Sequence, residues 1–69
     1  MRKEEILERS RQMIEEGEKP SVETLARELE YHPASVHRLL NALEKEDRVE
    51  TYAREILGEK VRMVAVKRE

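Results

Sequence analysis

The chain contains no cysteine, no tryptophan and no phenylalanine, and its 69 residues hold only two glycines and two prolines. Without cysteine there is no disulfide framework and no thiolate metal site. The two histidines, His32 and His37, are five apart, off the i, i+4 spacing that sets two ligands on one helical face, so no metal or other cofactor is expected. The glycines, Gly17 and Gly58, are too far apart to form a phosphate-cradling loop. No apolar run approaches the length of a membrane span or a signal peptide, which points to the cytoplasm and, for a prokaryote, the nucleoid. Adjacent acids such as Glu4-Glu5 and Glu15-Glu16 are neighbours on a helix and point in different directions. No nucleophile–base constellation can be assembled, and a chain this short has no room for an ordinary substrate pocket. An enzyme is not expected.

Charged residues make up 43% of the chain and aromatics 3%, so leucine, isoleucine, valine and methionine must form a thin core. The charges are of mixed sign and the apolar spacing is regular, which indicates one folded domain over residues 1–69 rather than disorder. Asn41 and Gln12 are the only side-chain amides, a bias that resembles thermophile composition. The net charge is −2, too acidic for a protein that coats DNA nonspecifically. The sign is uneven: six Lys/Arg and nine Glu lie in residues 1–30, against eight Lys/Arg and seven Asp/Glu in residues 31–69. The second half is the less acidic, an asymmetry that permits DNA binding without demanding it.

The hydrophobic spacing predicts three helices. Over about 3–16, Ile6, Leu7, Ser10, Met13 and Ile14 share a face, and Gly17 suits a left-handed stop. Ser21 is a good N-cap for a second helix over about 21–30, with Glu23 in its first turn. Pro33 suits the first turn of a third helix, about 33–46, that buries Val36, Leu39, Leu40 and Leu43. Its opposite face carries Ala34, His37, Arg38, Asn41 and Lys45.

The stretch LARELEYHPASVHRLL, Leu25 to Leu40, resembles the helix-turn-helix family. That family has an apolar residue then Ala, two variable positions, an apolar residue, Gly, another apolar residue and a polar cap, followed by Ser/Thr-Val-x-Arg-x-Leu. Leu25-Ala26, Leu29, Tyr31, Ser35-Val36, Arg38 and Leu39 fill these places. Glu30 stands where the family has a left-handed Gly, and His32 replaces the usual Ser, Asp or Asn cap. Beyond Leu43, the run to Val49 resembles the end of a winged-helix recognition helix, with Asp47 in place of a Gly. The resemblance implies a small stand-alone winged helix-turn-helix of prokaryotic or archaeal type, mainly α with a small β-hairpin.

The hairpin, about 49–57 and 60–68, is expected to turn at Gly58-Glu59. That places Glu55 opposite Arg62, Ala53 opposite Val64, Thr51 opposite Val66 and Glu50 opposite Lys67. A conflict stands in this segment. VETYAREI at 49–56 shares six of eight residues with VETLAREL at 22–29, and its local spacing favours a helix. A lone strand at 60–68 would then lack a partner, so pairing argues for a strand.

By the resemblance, the third helix lies in the major groove of double-stranded DNA. Ser35, His37, Arg38 and Asn41 meet bases or phosphates, Lys45 reaches backbone, and Arg54, Lys60 and Arg62 of the wing touch the minor groove or phosphates. Tyr52, Ile56, Val61 and Met63 form an apolar side of the hairpin, expected to be covered by a homodimer or another protein. The function expected is that of a small transcriptional regulator binding a specific sequence. The rival is a winged helix used for protein contacts, as an accessory subunit of a larger assembly.

Overall fold

A computed structural model describes residues 2–67. Three helices, α1 (Arg2–Glu15), α2 (Val22–Leu29) and α3 (Pro33–Lys45), precede an antiparallel hairpin of β1 (Val49–Ile56) and β2 (Glu59–Val66). This is the winged helix-turn-helix arrangement that the family resemblance implied. Arg68, the expected end of the second strand, lies outside the described residues.

Each helix stops in the same way. The residue after the last turn adopts a left-handed conformation: Gly17 (φ 82°), Glu30 (φ 58°) and Asp47 (φ 60°). The next amide then reaches back five residues, from Glu18 to Met13 (2.8 Å), from Tyr31 to Ala26 (2.9 Å) and from Arg48 to Leu43 (3.0 Å). These bonds satisfy carbonyls that the helix would leave open. Only one of the three stops is glycine. The other two carry a steric cost of roughly 1–2 kcal/mol each for a Cβ in that region.

The starts are capped by side chains. Ser21 Oγ accepts from the Thr24 amide (3.1 Å). His32 does the same work for α3, its Nδ1 accepting from the Ala34 amide (3.1 Å), with Pro33 in the first turn.

Ile6, Leu7, Met13, Val22, Leu25, Ala26, Val36, Leu40, Leu43, Val49 and Val64 make one buried cluster, with Leu29, Tyr31, Leu39 and Val66 against it. Ser10 is fully buried within the same face of α1, and its hydroxyl has no partner among the described residues. Ile14, expected on the inner face, is 42% exposed at the end of α1.

Residues 49–56 are a strand, although their near-copy at 22–29 is helical. The difference lies outside the two segments. β2 bonds β1 on one edge, and on the other it meets Ser21, where the Val64 amide donates to the Pro20 carbonyl (3.0 Å). The residues before α2 thus add a single bridge to the free edge of β2.

The register differs from the expected one by two residues. Val49 faces Val66, Thr51 faces Val64, Ala53 faces Arg62 and Glu55 faces Lys60. The turn is Leu57-Gly58, both at positive φ (51° and 81°), as a primed two-residue turn requires. A shift of two keeps every side chain on its face, so alternation alone could not distinguish the two registers. Burial of Val49 and Val64 and the contact at Ser21 fix the one observed.

Ion pairs tie the chain ends to the middle. Arg48 binds Glu4 through both guanidinium arms (2.6 and 3.0 Å), Lys3 pairs with Glu46, and Lys67 pairs with Asp47. Arg48 holds the Glu4 carboxyl below its ordinary value, Lys3 does so for Glu46, and the Thr51 hydroxyl followed by Arg62 does so for Glu44. A carboxyl that binds its proton less readily when folded contributes stability above its unfolded value of 4.5. That contribution is lost as pH falls through the lower folded value. Urea unfolding at successive pH values should therefore show stability declining below 4.5. Lys67, raised by Asp47, acts in the opposite sense: its contribution is full below 10.5 and disappears as pH rises through the folded value. Unfolding midpoints that stay constant into acid would show that these pairs do not hold in solution.

Candidate nucleic-acid interface

The inner stripe of α3 is clamped by the core, with Val36, Leu40 and Leu43 fully buried. That clamp fixes which residues turn outward. His37, Arg38, Asn41 and Lys45 are exposed, and Ser35 is half-buried in the first turn. Arg38 and Lys45 make no ion pair among the described residues, and neither do Arg54 and Lys60 of the hairpin. Elsewhere, Lys3, Arg9, Arg48 and Lys67 are neutralised by carboxylates, whereas Arg2, Lys19 and Arg27 also have no ion pair among the described residues.

Arg62 was expected to touch the minor groove or phosphates, and the fold gives it contacts within the protein. It lies on the hairpin face turned toward α3, with its side chain 22% exposed. One guanidinium nitrogen donates to His37 Nδ1 (3.1 Å). The other donates to Asn41 Oδ1 (2.9 Å) and Glu44 Oε1 (2.8 Å). The second Glu44 oxygen accepts from the Thr51 hydroxyl (2.7 Å) and amide (3.3 Å). These five residues join the wing to the outer side of α3.

Glu44 was not among the residues nominated from sequence. It follows His37 by seven positions and Asn41 by three, so it shares their helical side. A lone acid on a basic face was the available signal, but its partner came from a remote strand.

The wing residues divide between two faces. Lys60 and Arg62 share the face turned toward α3, whereas Arg54 stands opposite Val61 on the other. Between the wing and the start of α3 lies an open groove of about 770 Å³, with Pro33, His37, Lys60 and Arg62 in its lining. The structure therefore brings Lys60, Arg62, His37 and Asn41 together and leaves Arg54 apart.

The apolar side expected to receive a partner is smaller than its four residues suggested. Met63 is buried (3% exposed), and Val61 is half-buried. Tyr52 and Ile56 remain exposed, together with Leu57 at the tip.

Comparison with known proteins bears on the helical segment. Residues 12–51, more than half of the chain, match the model of the IclR helix-turn-helix domain. The chain belongs to the IclR helix-turn-helix domain family. No curated protein and no solved structure matches it. The matched residues run from the end of α1 through α2 and α3 to the third residue of β1, so they contain the whole helix-turn-helix and only the start of the wing. The IclR helix-turn-helix is a winged DNA-binding domain of the transcription-regulator type. In this member of it, the outer face of α3 carries Arg38 and Lys45 without neutralising partners among the described residues.

Among the described residues no group of three or more histidine or carboxylate side chains could hold a metal ion. No helix among them is long and apolar enough to cross a membrane.

Proposed function

We propose that this IclR-type domain binds double-stranded DNA at specific sequences, with α3 in the major groove and Lys60 on the adjacent backbone. One observation carries the reading. The outward face of the second helix of the helix-turn-helix holds exposed Arg38, Asn41 and Lys45, and both cations lack an internal partner among the described residues. An exposed guanidinium left unpaired in an acidic chain can form bidentate bonds to a guanine edge, and an unpaired ammonium suits a phosphate. The role this supports is that of a small transcriptional regulator.

Salt dependence tests it. Binding to a random-sequence duplex, measured by fluorescence anisotropy at several salt concentrations, should weaken steeply as salt rises, because each phosphate contact releases condensed counterions. Lys60→Ala should lower the slope of that dependence by about one unit and weaken all sequences alike. Absence of binding even at low salt would reject the DNA reading. It would favour the alternative, an accessory subunit that uses its wing for protein contacts.

A further inference from the structure

Arginine has five N–H donors and no acceptor, and it stays charged. Whatever atoms face Arg62 must therefore accept. The ring nitrogen of His37 that meets it, Nδ1, presents a lone pair, which leaves the proton of the neutral ring on Nε2. The amide atom of Asn41 that meets it is the oxygen, which leaves the NH₂ group as the free arm. Neither Nε2 of His37 nor Nδ2 of Asn41 has a hydrogen-bond partner among the described residues. The carboxylate of Glu44, the acceptor that α3 would otherwise offer beside them, is occupied by Arg62 and Thr51.

One side chain thus polarises the reading face. Together with Arg38, the groups that α3 has available near its middle are N–H donors. We propose that Arg62 is a positioning residue that sets the base preference of α3, directing His37 and Asn41 to guanine. The proposal rests on the DNA-binding reading above and deepens it.

The chemistry follows from the major-groove edges. Guanine shows two acceptors, N7 and O6, and no donor. Adenine shows an acceptor beside an N6 donor, cytosine shows an N4 donor, and thymine shows a single O4 acceptor beside its methyl group, so only guanine can meet two donors. An asparagine with both amide arms available suits adenine, accepting from N6 and donating to N7. Asn41 departs from that pattern because its oxygen is turned to the wing and lies beside a cation. A second N–H donor brought to that oxygen would meet the charge of Arg62. Guanine makes no such demand.

The experiment has two parts. Selection from a randomised duplex library with the wild-type chain should enrich sites containing guanine at a position whose preference disappears in Asn41→Ala. In Arg62→Met that same position should move toward adenine, by roughly tenfold in relative affinity, the scale of one bidentate base contact. Adenine at the Asn41-dependent position in the wild type, or a guanine preference unchanged in Arg62→Met, would overturn the proposal while leaving DNA binding intact. Loss of salt-dependent binding to every duplex would overturn the DNA reading itself, and the base preference with it.

The second part does not depend on the variant folding. Ring ¹⁵N shifts of His37 in the free wild-type protein, at a pH where the ring is neutral, should place the proton on Nε2. A proton on Nδ1 would overturn the proposal. The tautomer tests the contact itself, and the base preference of Arg62→Met tests what the contact does.

Discussion

Leu40→Ala should destabilise the domain by about 2–5 kcal/mol, the range for truncating a buried leucine. Leu40 is fully buried in the central cluster, and it adjoins Asn41 in the chain. The lost methyl groups remove transfer free energy, and the rigid neighbours collapse only in part, leaving a cavity. For a domain of this size the total stability is on the order of 3–10 kcal/mol. The variant is thus expected to be partly unfolded at room temperature, or to unfold at a markedly lower urea concentration. Leu57→Ala is the matching control. Leu57 is 99% exposed at the hairpin turn, and its replacement keeps a Cβ at positive φ, so the change should lie within about 0.5 kcal/mol. A Leu40→Ala cost below about 1 kcal/mol would mean that α3 is not packed as described. The stability effect also has a functional consequence. Because the inner stripe of α3 fixes which side chains turn outward, loosening Leu40 should weaken DNA binding without removing any DNA-facing group.

Arg38→Ala has the opposite character. The guanidinium is exposed and without an ion-pair partner among the described residues, so circular dichroism and the unfolding midpoint should be nearly unchanged. Affinity for a selected site should fall by about 1–3 kcal/mol, equivalent to roughly tenfold to a hundredfold, if Arg38 makes a bidentate contact with a guanine. Affinity for random duplex should fall much less, because nonspecific binding rests on phosphates. The ratio of the two losses is the decisive measurement. Equal losses would assign Arg38 to the backbone, and no loss in either would place the reading face elsewhere.

The two variants separate the sides of one helix. On α3, positions 36, 40 and 43 hold the helix to the core, and positions 37, 38, 41 and 45 face outward, where we propose they meet DNA. Arg62 belongs to neither set in sequence, yet it touches the second. Through those contacts a wing residue with a partly buried side chain would, on our proposal, act on recognition.

Much of this was legible in the sequence because it is local. A helix closes its hydrogen bonds within four residues, so Ser21, Pro33 and Gly17 announce the starts and stops that the structure contains. Glu30 and Asp47 could be placed at left-handed positions by their place in the helix-turn-helix pattern, although neither is glycine. The outward set on α3 followed from a period of 3.6 residues.

Tertiary structure decided what local pattern could not. VETLAREL and VETYAREI differ at two positions, yet one is helix and the other strand. Following a cap, the first completes its own hydrogen bonds. The second follows the left-handed Asp47 and bonds to β2, which Ser21 and Pro20 hold from the other side. The register was undetermined by alternation, since a shift of two residues preserves both faces; the Leu57-Gly58 turn and the burial of Val49 and Val64 fixed it. The partner of Arg62 was set in the same way. Sequence marked it as a charged wing residue, whereas folding brought it within 3.1 Å of His37 and Asn41, twenty-five and twenty-one positions away. Helical order is encoded in near neighbours, but strand pairing and side-chain polarisation require groups that only the folded chain brings together.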